Sequence, residues 1–284
     1  MESPAEILRR HGLRAKHSWG QNFLGDEGAL RDIASALALR EGEPVVELGP
    51  GLGHLTRFLA ATGAKVTAVE RDRDMVAVLH KEAIPGVRVV EGNATNTDFA
   101  KVGGADVVAV AGNLPYHLTS PILFEVLEQR DHVSRAVFTL QKEVVERLAA
   151  EPGTREYGLL TVLLGLYFDV EHLFTLEARR FTPPPKVDSA VVRLTRLKAP
   201  RAEIVDGNRF IRVVKASFAQ RRKTLLNSLK SDRQLATPEQ YAQALAKAGI
   251  DPMRRAETLA VEEFAALERA LGPVTAPVAP ATEE

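Results

Sequence analysis

Four consecutive residues, Asn113, Leu114, Pro115 and Tyr116, have the types and the order that suit chemistry on a flat heterocycle. The Asn113 side-chain oxygen and the Leu114 carbonyl can each accept a hydrogen bond from an N–H group. Pro115 fixes the backbone that aims these acceptors, and Tyr116 offers a ring face for stacking. The combination favours an enzyme that holds a planar base by its exocyclic amine. Our first hypothesis is a methyltransferase that acts on such an amino group.

A glycine-rich turn, Gly49-Pro50-Gly51-Leu52-Gly53, is the second feature with chemical potential. It follows a predicted strand and precedes a predicted helix, so its backbone can approach a ligand closely. Glu70 ends the next predicted strand, where a carboxylate can accept ribose hydroxyls. NAD, FAD and S-adenosylmethionine all use this architecture. The spacing G-x-G-x-G leaves no need for a pyrophosphate, which favours S-adenosylmethionine as the cofactor.

Several polar residues beside these motifs have more than one interpretation. Glu47 could bond to loop amides or to a cofactor ammonium, or it could be a buried partner of a helix cap. Asn93 follows a predicted strand at the place where an acidic residue would hold the adenine amino group, and its amide can both accept and donate. His54 and His117 are expected to be structural, because methyl transfer to an amine requires no enzymatic base.

The elements that must position these residues alternate between β-rich runs and helical patterns, which predicts a parallel sheet with helices on both faces. The fold class is therefore α/β, a Rossmann-like class I S-adenosylmethionine-dependent methyltransferase domain. The predicted strands are Val45–Leu48, Lys65–Glu70, Val87–Glu91, Asp106–Ala111, Arg135–Gln141, Tyr167–Leu176 and Ser189–Leu197. The proline-rich segment Phe181–Lys186 is expected to be a loop outside regular structure.

A domain boundary is predicted where β-rich sequence gives way to helical patterns, between Lys198 and Asp206. Residues 1–200 would form the methyltransferase domain. Residues 201–271 would form a small all-helical domain that contacts RNA or the ribosome. Residues 272–284, rich in Pro, Ala, Val and Thr, are expected to be a disordered tail.

Composition excludes several classes of protein. The 284 residues are 45% hydrophobic and 26% charged, as in ordinary globular proteins, and the absence of cysteine excludes disulfides and thiolate sites. The first residues lack the pattern of a signal peptide, and no apolar stretch reaches membrane-spanning length. We expect a cytoplasmic monomer.

Charge is balanced overall but unevenly distributed. A formal net charge of zero argues against a nucleic-acid partner, yet basic residues are concentrated between Arg193 and Lys223. A solvated helix face is the alternative interpretation. With a nucleic-acid substrate, the stretch from Arg209 to Lys223 is expected to contact phosphates, and Arg221, Arg222 and Lys223 are the best candidates.

With these motifs in this order, the sequence resembles the ribosomal RNA adenine dimethyltransferases, most closely the bacterial small-subunit members of that family. The resemblance covers residues 12–230. The motifs that carry it are Ser18–Leu24, Glu47–Gly53, Asn113–Tyr116, Gln141–Glu143, Phe181–Ser189 (FTPPPKVDS) and Arg221–Leu225. One departure is Trp19, where the family usually has Leu or a similar residue.

The resemblance implies a set of site residues. Asn22 and Leu24 would close over the cofactor, and the glycine turn, through Gly49 and Gly51, would contact its methionine part. Glu70 would bind the ribose. Asn93 would take the adenine position, although the family usually has Asp there, and Asn113 would be shared by cofactor and target. Tyr116 is expected to stack on the target base, with Phe181 as the second ring unless that ring is simply part of the core.

The resemblance also implies the substrate, a pair of adjacent adenosines in a hairpin near the 3′ end of small-subunit (16S) rRNA. Each would be methylated twice on N6, within an immature small ribosomal subunit. Three alternatives are open. One is the macrolide-resistance type of methyltransferase that acts on 23S rRNA, and another is a non-catalytic ribosome-assembly or transcription factor on the same fold. DNA adenine methylation is the third, although such sites usually carry D-P-P-Y instead.

Overall fold

The computed structural model describes residues 1–272. The chain divides into two compact units. The first comprises residues 1–146 and 168–196, and the second comprises, within the described chain, residues 147–167 and 197–272. No helix within residues 1–272 is both long and apolar enough to cross a membrane.

Nine strands belong to the first unit. Their bounds are β1 Phe23–Leu24, β2 Pro44–Leu48, β3 Lys65–Glu70, β4 Val87–Glu91, β5 Val108–Asn113, β6 Val133–Gln141, β7 Phe168–Leu176, β8 Phe181–Thr182 and β9 Ser189–Arg196. Seven of them form one sheet in the order β4-β3-β2-β5-β6-β9-β7, while β1 and β8 form a separate antiparallel pair. Strand β9 runs antiparallel to both of its neighbours, β6 and β7, so in the large sheet it alone opposes the direction of the other six strands.

The helices are α1 Pro4–Arg10, α2 Glu27–Ala36, α3 His54–Ala60, α4 Arg73–Glu82, α5 Phe99–Gly103, α6 Thr119–Glu128, α7 Lys142–Leu148, α8 Leu159–Gly165, α9 Gly207–Phe218, α10 Leu225–Leu229, α11 Pro238–Lys247 and α12 Val261–Leu271. The predicted α/β class is confirmed. Strands β3 and β4 have the predicted bounds, whereas the sequence patterns did not predict α1, α2 or α5.

The sheet order creates a crevice where the ligand-binding motifs meet. Strands β3 and β4 lie on one side of β2, whereas β5 and β6 lie on the other. The chain therefore reverses direction across the sheet between β2 and β5, and ligands bind at the carboxyl ends of strands at such a switch point. Strand β2 leads into the glycine turn, and β5 ends at Asn113.

Two sequence expectations for this unit were wrong in detail. Phe181 and Thr182 are not loop residues, because they pair with Leu24 and Phe23 as strand β8. The prolines that follow end the strand after only two residues, since proline cannot donate to a ladder. Strand β5 also extends two residues beyond the predicted end, so that Asn113 pairs with Thr139 inside the sheet. Both differences fix site residues in regular structure.

The second unit is helical. Helix α8 packs against α9 and α12, and the Phe218 ring lies between those of Tyr157 and Phe264, with centroid distances of 6.3 and 5.8 Å. Residues 147–167 therefore belong with the helices, although the predicted boundary at residue 200 assigned them to the first domain. The apolar sequence of α8, which lies between two strands in the chain, did not indicate which elements the helix packs against. The predicted tail lies, from residue 273 onward, outside the described residues.

Candidate active site

Two neighbouring cavities lie at the switch point of the first unit, with volumes of about 800 and 860 Å³ including the space open to solvent. They share five lining residues, Trp19, Gly49, Glu70, Leu114 and Pro115. Every residue predicted to bind the cofactor or to act on the base lines at least one of them. Beside the shared residues, the first cavity is lined by Asn22, Leu24, Gly51, Asn113, Tyr116 and Phe181, and the second is lined by Asn93.

The Asn113 side chain is oriented by the N-terminal segment. Its Nδ2 donates to the Asn22 carbonyl over 3.0 Å, which leaves Oδ1 as the acceptor. Leu114 is buried, and its N–H donates to the Thr139 carbonyl over 3.2 Å. The end of β5 is thus held by β6 on one side and by Asn22 on the other.

Hydrogen bonding and burial also fix the Tyr116 ring. Its hydroxyl lies 2.9 Å from Oγ of Ser189, a residue with no exposed surface at the start of β9. Burial raises the pKa of the Tyr116 hydroxyl, so it is neutral at physiological pH. Phe181 is 3% exposed and packs with core residues such as Leu30, yet it also lines the first cavity. Its role as a stacking ring stays a prediction.

Glu70 links the second predicted strand end to the glycine turn. Its Oε2 accepts from the Gly51 N–H at 3.0 Å, and its Oε1 accepts from the Asp72 N–H at 2.8 Å. Burial raises the pKa of this carboxyl. Each oxygen keeps a further lone pair, so the same group can hold the turn and still accept hydroxyls of a ligand.

Glu47 and Gly49 show that this site fits S-adenosylmethionine. Glu47 is 1% exposed, its Oε2 has no hydrogen-bond partner among the described residues, and burial raises its pKa to about 8. Gly49 has a φ of +66°, and a Cβ there would project into open space beside both cavities. An orphaned carboxyl suits the ammonium of the methionine part, and the missing Cβ leaves room for it. When bound, the cofactor supplies a methyl group on a sulfonium.

Asn93 occupies the second cavity with only part of its amide engaged. Its Oδ1 accepts from the Thr95 N–H over 3.3 Å and so caps the short turn Ala94–Asn96. The amide nitrogen has no partner among residues 1–272. The side chain can therefore donate to an adenine ring nitrogen as well as accept from an amino group.

A clamp that the sequence patterns did not reveal holds the segment around Asn22. Gln21 Nε2 donates to Asp72 Oδ2 over 2.7 Å, and Lys16 Nζ donates to Asp72 Oδ1 over 2.6 Å. Asp72 is almost fully buried at the N-cap of α4. No sequence pattern indicated that the Asp72 carboxylate reaches residues so distant in the chain. His54 Nε2 lies 3.1 Å from the Glu2 carbonyl, and the residue also lines the first cavity, so its structural role stays a prediction.

The predicted RNA-binding residues divide into two groups within the second unit. Arg221 donates through Nη2 to the carbonyls of Arg155 and Tyr157. Arg222 and Lys223 are exposed, and their side chains have no partner within the described chain. Helix α10 begins at Leu225, so both residues lie in the preceding turn.

The expectation that the stretch from Arg209 onward contacts phosphates was wrong for Arg209, whose side chain is buried, and it stays a prediction for the exposed residues. Arg209 pairs with Glu268, and the two side chains are 6% and 0% exposed. Arg212 forms a bidentate pair with Asp232, with both distances at 2.6 Å. These arginines neutralise Glu268 of α12 and Asp232 of the segment after α10, and the distance along the chain gave no sign of either pairing.

The sheet order, the glycine turn at its switch point and the acceptors at the end of β5 define a class I S-adenosylmethionine-dependent methyltransferase. The family model for ribosomal RNA adenine dimethylases matches residues 12–271. The chain belongs to this family, and S-adenosylmethionine is its methyl donor. Family membership confirms the predicted enzyme class and favours catalysis over a non-catalytic assembly factor.

Two relatives with high sequence identity have the same name. The ribosomal RNA small subunit methyltransferase A of Myxococcus xanthus (strain DK1622) is 78% identical over 275 residues, which cover 97% of each chain. The protein of that name from Anaeromyxobacter sp. (strain K) is 53% identical over 95% of this chain and 98% of its own.

Two solved structures are also similar. A dimethyladenosine transferase from Plasmodium falciparum has a TM-score of 0.75 and 26% identity, with coverage of 86% of this chain and 95% of that one. The 23S rRNA methyltransferase ErmE has a TM-score of 0.68 and 29% identity, with coverage of 89% and 100%. These likenesses extend over most of the chain.

Proposed function

We propose that this protein dimethylates N6 of two adjacent adenosines in a hairpin near the 3′ end of 16S rRNA, within an immature small ribosomal subunit. The names of the relatives at 78% and 53% identity support the small subunit as the source of the RNA. The observation that supports the chemistry is the Asn113 amide, whose nitrogen is occupied by Asn22 and whose oxygen is left to accept.

The proposed catalysis depends on two acceptors acting on one amine. The lone pair of adenine N6 is delocalised into the ring and is a poor nucleophile. Oδ1 of Asn113 and the carbonyl of Leu114 would accept the two N–H bonds and draw the nitrogen toward tetrahedral geometry. They would also stabilise the positive charge that develops on nitrogen during transfer. Each transfer would leave the donor as a neutral thioether and N6 with a positive charge, which it would lose by releasing a proton to solvent. After the first transfer one N–H then remains, and rotation about the C6–N6 bond would present it to the same acceptors.

The target adenine must leave its helix or loop before it can reach these acceptors, and stacking offsets the cost of unstacking. Tyr116 is the proposed platform because its hydroxyl is held by Ser189 and its ring borders the first cavity. Phe181 is the proposed second ring. Neither role requires a charged side chain.

The rest of the proposal concerns the partner. The helical region, residues 201–271, would contact the ribosomal particle, with Arg222 and Lys223 at phosphates. The protein would act as a monomer in the cytoplasm. Sedimentation of the purified protein alone and with immature subunits would test the monomer and the complex together.

The decisive assay incubates the protein with immature small subunits and labelled S-adenosylmethionine. We expect two N6,N6-dimethyladenosines in the digested 16S rRNA. Asn113→Ala should lower the rate by at least about a hundredfold while subunit binding is kept, because it removes one of two acceptors for the developing charge. Asn96→Ala, an exposed asparagine outside the first cavity, is the matched control.

A parallel assay that offers 23S rRNA beside the small subunits separates the 23S alternative, which the likeness to ErmE keeps relevant. Primer extension on each rRNA locates the modified adenosines, because they block reverse transcriptase. Modification of 23S rRNA alone would overturn the proposed substrate, and an active Asn113→Ala variant would overturn the proposed mechanism.

A further inference from the structure

Trp19 is a large aromatic residue that the fold does not bury. It is 38% exposed and ends a short turn, His17–Trp19, that has no buried residue. It is the single tryptophan of the chain. Its ring lines both cavities, so it stands at a rim that the two share. An exposed indole at the edge of a ligand site is available for stacking.

Two cations lie beside this ring, and only one of them is neutralised. Lys16 Nζ is 5.3 Å from the ring centroid, and it pairs with Asp72 and Asp74 at 2.6 and 2.7 Å. The Arg71 guanidinium carbon is 5.4 Å from the centroid. Arg71 is exposed and has no carboxylate within salt-bridge distance among residues 1–272. The site therefore combines an aromatic face with one uncompensated positive charge.

The turn that carries Trp19 is positioned against the catalytic segment. Gly20 follows it with a φ of +65°, and a Cβ there would lie 3.4 Å from Nδ1 of His117 and 3.5 Å from Cβ of Pro115. The backbone thus packs close to the segment that carries the acceptors. The indole is therefore held at the edge of the cavities that Pro115 lines.

We propose that Trp19 and Arg71 bind the nucleotide next to the target adenosine. This rests on the proposed function for the nature of the RNA. When one adenine leaves the stack to enter the first cavity, its neighbour loses a stacking partner, and the indole replaces it. The Arg71 guanidinium holds the phosphate of that nucleotide. The one carboxylate of S-adenosylmethionine belongs to its methionine part, which we assign to Glu47 and the glycine turn at the first cavity. Arg71 lines only the second cavity, so its uncompensated charge is left for the RNA.

The kinetic test compares Trp19→Leu, Trp19→Phe and the wild-type protein on immature small subunits. We expect Trp19→Leu to raise the KM for subunits by about tenfold and to leave the KM for S-adenosylmethionine unchanged, since stacking is lost without loss of the cofactor site. Trp19→Phe keeps a ring and should retain most of the wild-type KM. Equal KM values for Leu and Phe, or a change confined to the KM for S-adenosylmethionine, would overturn the proposal.

Because Trp19 is the single tryptophan, its fluorescence reports on the platform directly. The probe is an RNA hairpin with two adjacent unpaired adenosines, added after saturation with S-adenosylhomocysteine. We expect quenching beyond that caused by S-adenosylhomocysteine, and Arg71→Gln should lower the salt slope of hairpin binding by about one. Quenching that is complete with S-adenosylhomocysteine alone would assign the ring to the cofactor and refute the RNA platform.

The two proposals can fail separately. If the wild-type protein does not modify small-subunit rRNA, the proposed function is wrong whatever Trp19 does. If it does modify that RNA and Trp19→Leu matches the wild type in both KM values, only the platform is wrong.

Discussion

Glu47 shows how burial changes the chemistry of a residue. Its carboxyl is almost fully enclosed beside the first cavity, and burial raises its pKa from 4.5 to about 8, with the nearby Glu70 charge adding to the effect. The folded protein therefore holds a proton at Glu47 under conditions where the unfolded chain has released it. A ligand ammonium would favour the ionised form, so the same group can respond to cofactor binding.

This linkage predicts the pH dependence of stability. Between pH 4.5 and about 8 the folded state binds the extra proton, so the contribution of Glu47 to the free energy of unfolding falls as pH rises and levels off above the folded pKa. Glu47→Gln, which cannot ionise, should show a smaller fall. Denaturant unfolding of both proteins across this range measures the difference. Parallel curves would contradict the raised pKa.

At the scale of elements, the position of the glycine turn depends on its contact with strand β1. Gly51 has a φ of +56°, and a Cβ there would lie 2.8 Å from the Phe23 ring. Strand β1 in turn pairs with β8, which carries Phe181. The turn, the segment around Asn22 and the Phe181 strand therefore form one connected layer, and a shift in one displaces the others.

Gly51→Ala should disturb this layer in two ways. The positive φ costs about 1–2 kcal/mol for any residue with a Cβ, and the clash with Phe23 adds to it. We expect a larger loss of unfolding free energy than for Gly86→Ala, where φ is +74° and nothing lies within 4 Å. Calorimetric titration with S-adenosylhomocysteine should show weaker binding for Gly51→Ala only. Equal losses of unfolding free energy in the two variants would show that strand β1 moves away from the added methyl group without cost.

At the scale of the whole molecule, the basic residues divide between stability and recognition. Arg209 and Arg212 are paired within the helical unit, whereas Arg222 and Lys223 are exposed in the turn before α10. Arg221 ties that turn to the carbonyls of residues 155 and 157. A net charge of zero therefore coexists with a local positive surface that a polyanion can contact.

The double variant Arg222→Gln and Lys223→Gln should lower the salt slope of subunit binding by about two, since each neutralised phosphate contact contributes about one. Its melting temperature and its affinity for S-adenosylmethionine should match those of the wild type. Arg221→Gln is the contrasting variant and should lower the melting temperature, because it leaves two carbonyls without their donor. An unchanged slope in the double variant would remove this turn from the interface.

The sequence by itself determined the fold class, the methyl donor and the residues around the site. Local signals carried most of these predictions, since period-two runs mark strands, glycines mark the turn, and Asn113 to Tyr116 are contiguous in the chain. Asn22 and Leu24 were implied only by the family resemblance. Their convergence at one crevice follows from the rule that parallel strands present their carboxyl ends at a common edge.

Only the tertiary structure decided which side chains are available. The orientation of Asn113 depends on the carbonyl of Asn22, the segment around Asn22 depends on Asp72, and the charge of Arg209 is neutralised by Glu268. Each of these contacts joins residues far apart in the chain, and hydrogen bonds and ion pairs depend on distances of a few ångströms that no sequence pattern encodes. The same holds for Trp19, because only the fold places Arg71 and the two cavities beside its ring.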